Sequence, residues 1–449
     1  MLMIIYNCKI ITWEQPNQIV ENKAILIQKG LIKALDSQIA LFNKFPDEER
    51  LDAGGQYIMP GNICAHTHFY GTFSRGMAIP GKAAKDFPEI LDKLWWPLDK
   101  SLSTDAVKYS ALVCLVNAVR HGTTTLLDHH ASQTAIDGSL EVIAEAVEQA
   151  GVRASLCYEV TDRDGLDRMR EGVAENLRHI DYVKRNPGNG RIKAHFGMHA
   201  SLTLSQETLE YCRNQNPDDI GFHIHAAEHI SDQFDSLDKS GMRVIDRLYK
   251  HGILGEKSII VHAVQTDAKE IALLAETNSI VTHQPRSNMN NAVGMAQIES
   301  MLRAGILLGL GNDGFSNAMW EEWKTAYLAH KMWHRDPRVV SGYDVVQMAV
   351  YNNSKIASRV FDDQIIGSIE VGAKADFIFV DYHPFTELSA GNLPWHIIFG
   401  FHESMITSTM VDGKFLMKDR ELLTLDEKEI AAKALEISKG TWGKYHKSF

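Results

Sequence analysis

Apolar and polar positions along this chain follow two rhythms. Residues 1–12 and 24–29 are short β-rich runs, and Gly54-Gly55 marks a turn. The pattern changes at Pro60-Gly61. From there to about residue 353, short apolar runs alternate with amphipathic stretches of helical period, among them residues 104–121, 140–151, 165–183 and 267–277. The runs lie at residues 58–68, 123–128, 153–160, 193–199, 221–227, 258–262, 279–283 and 305–313. Eight β-like runs separated by helices predict a parallel (β/α)₈ TIM barrel. After Ser368 strands return, at residues 376–381 and 407–417, with a turn at Asp412-Gly413. They are expected to pair with the N-terminal strands in a small composite β-sandwich. Residues 425–444 read as a terminal helix. The expected division is 1–57 and 365–449 for the small β domain, the terminal helix included, and 58–364 for the barrel.

Composition narrows the class. With 449 residues, 45% of them hydrophobic and 23% charged, the chain can build a large core and is not disordered. A net charge of −11 argues against nucleic-acid and anionic-membrane partners and favours small-molecule chemistry. Five cysteines without a C-x-x-C pair read as reduced thiols. Residues 1–5 are apolar but lack a basic flank, and no apolar run approaches the ~18 residues of a membrane span. A cytoplasmic protein is expected.

Twenty histidines are many for this length, and several stand where apolar runs end. In a parallel barrel, chemistry sits at the C-terminal ends of the strands. The first run ends in Cys64-Ala65-His66-Thr67-His68, and alternate strand residues share a face, so both imidazoles project together. The fifth carries His223 and His225, with His225 nearer the active end and Glu228 just beyond. The sixth ends at His262, and the eighth in Gly311-Asn312-Asp313. The expected ligands are His66, His68, His225 and Asp313. Three imidazoles and a carboxylate suit one divalent ion, Zn²⁺ first, with Fe²⁺ or Mn²⁺ as alternatives. Such an ion lowers the pKa of a bound water to roughly 7 and makes hydroxide available. Glu228 would shuttle the proton, His262 would orient the hydroxide or polarise the substrate, and Asp313 would be catalytic as well as a ligand. Each piece has a bland counterpart. H-x-H arises by chance in a histidine-rich chain, Asp after Gly-Asn is commonly a turn or cap, and a lone histidine is commonly structural. Their joint occurrence at the ends of different runs carries the reading.

The stretches Pro60-Gly61-Asn62-Ile63-Cys64-Ala65-His66-Thr67-His68, His225-Ala226-Ala227-Glu228, Val261-His262-Ala263 and Gly311-Asn312-Asp313-Gly314 resemble the amidohydrolase superfamily. The similarity is to its cytosine-deaminase-like and chlorohydrolase-like branch. It runs over nearly the whole chain and includes Gly367-Ser368-Ile369-Glu370-Val371-Gly372-Ala373-Lys374-Ala375-Asp376, typical of the small composite β domain. Within the branch the chain most resembles the aminohydrolases called SsnA, associated with selenium-dependent purine metabolism. The stretches concerned are Phe73-Ser74-Arg75-Gly76-Met77, Leu94-Trp95-Trp96-Pro97-Leu98-Asp99, Asp128-His129-His130-Ala131-Ser132 and Arg286-Ser287-Asn288-Met289-Asn290-Asn291. The resemblance implies a mononuclear metal site and hydrolytic attack on a ring or amidine carbon. One departure is Gln284, where relatives often have Asn. Binuclear members bridge two ions with a carboxylated lysine on the fourth strand. Here Lys193 stands at the wrong end of that run, ~20 Å from His199 at the active end. One ion is therefore expected, which leaves His262 free for catalysis.

The same rule nominates substrate contacts. His130 ends the second run, Glu159, Thr161, Asp162 and Arg163 follow the third, and His199 ends the fourth. His283, Arg286 and Asn288 stand at or after the end of the seventh, and Arg75 and Trp95-Trp96 lie on the insertion after the first. Tryptophans can stack on a planar heterocycle. Arg75, Arg163 and Arg286 can recognise carbonyl or carboxylate oxygens. His129, facing away from His130 by alternation, is expected to be structural. The leading expectation is hydrolytic deamination of a purine- or pyrimidine-like heterocycle, with Glu228 protonating a ring nitrogen as ammonia leaves. Ring-opening of a cyclic amide and displacement of halide or alkylamine use the same machinery and stay open. A non-enzymatic binding protein would show a damaged constellation. The expected partners are a small heterocyclic substrate and, by analogy alone, a second copy in a homodimer.

Overall fold

A computed structural model describes residues 2–188 and 190–449; Met1, which opens the first β-rich run, and Asn189 lie outside the described residues. Seven strands come first: β1 (Leu2–Tyr6), β2 (Lys9–Ile11), β3 (Ile19–Val20), β4 (Lys23–Gln28), β5 (Leu31–Ser37), β6 (Glu49–Asp52) and β7 (Tyr57–Pro60). The middle of the chain forms β8 (Asn62–Thr67), β9 (Thr123–Asp128), β10 (Arg153–Leu156), β11 (Ile192–Ala194), β12 (Phe196–Ala200), β13 (Phe222–Ala226), β14 (Ile259–His262), β15 (Ile280–His283) and β16 (Leu307–Leu310). Four strands close the chain: β17 (Phe377–Val380), β18 (Ile406–Val411), β19 (Lys414–Lys418) and β20 (Glu421–Leu422).

Strands β8 to β11 form one parallel sheet and β12 to β16 another. Isolated parallel bridges join them, Thr67 to Asp313 and Val160 to Met198. β11 and β12 are a single run interrupted at His195, so eight parallel runs alternate with helices, consistent with the expected barrel. Parallel strands buried on both faces need continuous apolar or β-branched sequence. Thr-Thr-Thr-Leu-Leu-Asp of β9 supplies it, buried throughout. Helix bounds follow local signals. Thr104–Arg120 starts after the Ser103 cap, and Ala268–Glu276 after a capping box of Asp267 and Glu270.

One expected strand is two. The run at residues 58–68 breaks at Gly61, where a Cβ would lie 2.2 Å from the Thr124 side chain. Before the break, β7 pairs with β17 and β2 in a seven-stranded sheet, and after it β8 joins the central strands. The seven-stranded sheet, in the order β20-β19-β18-β17-β7-β2-β3, takes strands from both ends of the chain. A second outer sheet has the order β5-β4-β1-β6. One apolar cluster joins the two, with Ile5, Ile25 and Ile27 packed among Ile10, Ile58 and Phe377. At the other end of β10 from the site, fully buried Arg153 pairs with Asp376 at 2.7 Å and with Asp412, tying the central strands to the outer sheet. The terminal helix Glu427–His446 clamps the insertion after β8. Its Trp442 indole donates to the Phe73 carbonyl at 2.8 Å, and its Tyr445 hydroxyl to that of Lys93 at 2.6 Å. Among the described residues, no single helix is long and apolar enough to cross a membrane.

Candidate metal centre and active site

His66 and His68 come from the end of β8, His225 from β13, and Asp313 from the turn after β16. Gly311 makes this meeting possible, because a Cβ there would lie 2.7 Å from the His66 carbonyl oxygen. Asp313 then enters the left-handed region at φ 57° and swings its carboxylate over the imidazoles. Its Oδ1 lies 2.9 Å from His68 Nε2 and 3.6 Å from His66 Nε2, and the Nε2 atoms of His68 and His225 are 3.2 Å apart. One ligand atom from each of the four residues falls within 4.8 Å of all the others.

Backbone carbonyls decide which nitrogens face inward. His68 Nδ1 donates to the His129 carbonyl at 2.5 Å, and His225 Nδ1 to that of His199 at 2.8 Å. His66 Nδ1 lies 2.9 Å from His223 Nε2. Each of the three therefore turns Nε2 toward a common point, as outer partners do for metal-binding imidazoles. His66 Nε2 is buried without a hydrogen-bond partner among the described residues. Converging lone pairs repel unless a positive charge lies between them. The surroundings favour one. Burial opposes a charge on His68, yet Asp313 and Glu159 outweigh it and raise the imidazole to about 9. Burial likewise opposes a charge on Asp313, but His66 and His68 hold its carboxyl well below the usual range. The donor set fits a divalent first-row cation.

Glu228 lies just past β13, after Ala227 at φ 51°. Its Oε2 is 3.4 Å from His262 Nε2, and its Oε1 accepts from Asn291 Nδ2 at 3.3 Å. Burial, with Asp313 nearby, raises this carboxyl well above its ordinary value. His262 ends β14 at φ 72°. Its Nδ1 donates to Asn288 Oδ1 at 3.0 Å, which leaves Nε2 an acceptor toward Glu228. Burial pushes the ring down to about 4, keeping it neutral. Tyr70, Phe87, Leu91 and Trp95 form an apolar wall across the cavity, and Glu159, His199 and Asn291 a polar one.

The sequence model of the amidohydrolase family matches residues 57–416. The chain belongs to the amidohydrolase family. It is 32% identical over 432 residues to a 5-methylthioadenosine/S-adenosylhomocysteine deaminase of Haloarcula marismortui, covering 94% of this chain and 95% of that one. It is 31% identical over 420 residues to a 5'-deoxyadenosine deaminase of Methanobrevibacter smithii, covering 90% and 92%. Solved structures share the fold. A zinc-bound adenosine deaminase from Xanthomonas campestris superposes with TM-score 0.85 at 23% identity over 98% of both chains. The zinc complex of an atrazine chlorohydrolase from Arthrobacter aurescens gives 0.81 at 19% identity, over 97% of this chain and 100% of the other.

This amidohydrolase brings together some of the expected substrate contacts and not others. Trp95 and His199 line the cavity. Asn288 stands behind His262 and holds it. His283 is turned away, its Nε2 3.0 Å from that of His330. His130 sits one layer back, bonded to Ser132 Oγ at 2.9 Å and edge-on to the Tyr70 ring. Arg163 pairs with Asp99 at 2.7 Å and lies over the Trp96 ring, pinning the insertion rather than facing a ligand. Arg286 pairs with Glu322 and donates to the Ser316 carbonyl at 2.6 Å, anchoring the loop after β16. Arg75 is exposed and outside the cavity lining. A guanidinium near a buried site takes an acid partner where one is present, and those acids lie far off in sequence. His129 departs from the alternation expectation, because β9 ends at Asp128 and the residue after it turns inward. Its ring stacks on His223 at 4.6 Å. Sequence reading missed Ser287, whose hydroxyl donates to Asp313 Oδ2, and Asn291 on Glu228. The i, i+4 spacing of these two after β15 was the available signal. Lys193 pairs with Asp362 at the opposite end of the strands.

Proposed function

We propose that this amidohydrolase deaminates a purine-like heterocycle, an adenine nucleoside or close analogue, using one divalent ion held by His66, His68, His225 and Asp313. Zn²⁺ is the first candidate. The observation that carries the reading is a four-donor centre beside a buried carboxyl, Glu228, able to gain and lose a proton. When bound, the ion supplies Lewis-acid activation of the attacking water. Glu228 takes a proton from that water and delivers one to the ring nitrogen next to the reacting carbon, and a carboxyl raised above its ordinary value suits both half-steps. Neutral His262, its Nε2 facing Glu228, orients the attacking group. Ser287 holds Asp313, and the wall of Tyr70 and Trp95 excludes bulk water. The relatives named as adenosine-type deaminases support amino-group hydrolysis. The same reading takes the eight central runs as a closed barrel and the outer sheets as a composite sandwich. It places the enzyme in cytoplasmic purine metabolism as a homodimer.

The test is a screen of the metal-loaded enzyme with adenosine, 5'-deoxyadenosine and 5'-methylthioadenosine. Ammonia release with an intact product ring is expected, and ring opening without ammonia overturns the reading. Glu228→Gln should keep its metal content and lose about 10²–10⁴-fold in kcat. Unchanged turnover would remove Glu228 from the proton path.

A further inference from the structure

The helix Met319–His334 buries one face, with Trp320, Trp323, Ala326 and His330, and leaves the other uncovered among the described residues. On the outer face Glu321, Lys324, Leu328 and Met332 recur at helical spacing, all exposed, and exposed Arg335, the C-cap, follows at the same spacing. Met332 is 82% exposed and Leu328 49%. The helix Leu393–Gly400 packs alongside, and its Phe399, 61% exposed, meets the ring of Tyr327 edge-on at 5.6 Å. One turn back on that helix, Trp395 meets the exposed ring of Tyr343 at 5.1 Å. Singly exposed apolar side chains need no partner, but this band is continuous. Side chains of this size bury about 200 Å² each when fully covered, so Leu328, Met332, Tyr343 and Phe399 still offer roughly 500 Å². That is about the apolar share, ~60%, of the ~800 Å² that each partner buries in a specific interface.

We infer that this face docks on a second copy of itself across a twofold axis at Leu328. The inference rests on the homodimer part of the reading above and deepens it; it is independent of the deaminase part. Antiparallel pairing about Leu328 sets Leu328 against Leu328, Lys324 against Met332 and Glu321 against Arg335. The symmetry makes each unlike contact twice, so a helix with an acid near its start and a base at its end complements itself, and the two helix dipoles run opposed. Arg286 and Ser316 hold Glu321 by Oε2, which leaves Oε1 to accept, and Arg335 makes no ion pair among the described residues. The Lys324 stem can lie along Met332 with its ammonium at the rim. Parallel pairing would instead set Glu321 against Glu321 and Arg335 against Arg335, which like charges oppose.

Sedimentation velocity of the metal-loaded chain at micromolar concentration tests this. The native chain should run at twice the monomer mass. Leu328→Glu combined with Met332→Glu should raise the dimer dissociation constant about 30-fold or more, as loss of a central apolar anchor does, with circular dichroism and metal content unchanged. Arg335→Glu, which sets acid against acid, should weaken the dimer about 10-fold at low salt and less at high salt. The native cysteines are buried, so Leu328→Cys, at the axis, should give a covalent dimer with diamide. Phe234→Cys, on the separate exposed stripe of Ile230, Phe234 and Leu237, should not. A monomeric native chain, its face left to another partner, overturns the inference and the homodimer reading together. A dimer that survives Leu328→Glu with Met332→Glu, or that crosslinks through Phe234→Cys and not Leu328→Cys, overturns this surface and leaves the homodimer standing. Ammonia release is read separately, so neither result bears on the deaminase reading.

Discussion

His262 sits at φ 72°, a region that a non-glycine side chain occupies only where its surroundings over-determine it. Asn288 is one of those surroundings, accepting from Nδ1 and so fixing which nitrogen faces Glu228. Asn288→Ala should lower kcat about 10-fold, part of what a positioned acid–base group contributes, with KM and metal content unchanged. Asn288→Asp, which keeps the acceptor oxygen, should recover most of the loss in the same steady-state assay. At this scale the sequence was legible where chemistry was carried by residue type at a strand end, as with His66, His68 and Asp313. It was not legible where a partner decided the role. Arg163 and Arg286 were eligible for a ligand until their acids, 64 and 36 residues away, came into contact. His68 and His225 owe their inward Nε2 atoms to carbonyls of His129 and His199 that no local pattern announces.

The turn that leads from β13 into the helix Ile230–Ser240 is the element that aims Glu228. Within it, Asp232 Oδ2 accepts from the Ala227 amide at 2.7 Å, while Oδ1 is buried without a partner among the described residues. Burial raises Asp232 from 3.8 to about 7. A carboxyl raised on folding favours the folded state when protonated, so its contribution is complete below the ordinary value and disappears as pH rises through about 7. Asp232→Asn keeps the acceptor and removes the titration. The thermal midpoint of the variant relative to the native chain should therefore rise between pH 5 and pH 8. A gap that stays constant with pH would show that Asp232 does not titrate there. Helices were legible because period and caps are local, as at Ser103 and Asp267. The division between β7 and β8 was not, because the apolar run continues through Pro60-Gly61 and only the approach of Thr124 requires the break.

Across the whole molecule, Arg153 is a polar tie between the central strands and the outer sheet. It is fully buried, and its partners Asp376 and Asp412 belong to segments more than two hundred residues on. Removing one side of a buried ion pair leaves uncompensated charge and costs about 3–5 kcal/mol. Arg153→Met should lose that much in urea unfolding and leave kcat unchanged, since the tie lies at the far end of β10 from the site. Full stability in Arg153→Met would mean that the apolar contacts alone hold the two parts together. By itself the sequence determined the alternation of strand and helix and the stationing of His66, His68, His225, Glu228, His262 and Asp313 at the ends of four strands, β8, β13, β14 and β16. Period, capping and strand termination act over a few residues and leave their mark in the chain. The tertiary structure decided which side chains share a space: His129 under the imidazoles, Glu159 beside His199, Ser287 on Asp313, and the arginines on acids outside the cavity. Those contacts depend on strand register and loop course across long sequence separations, and a local pattern does not encode them.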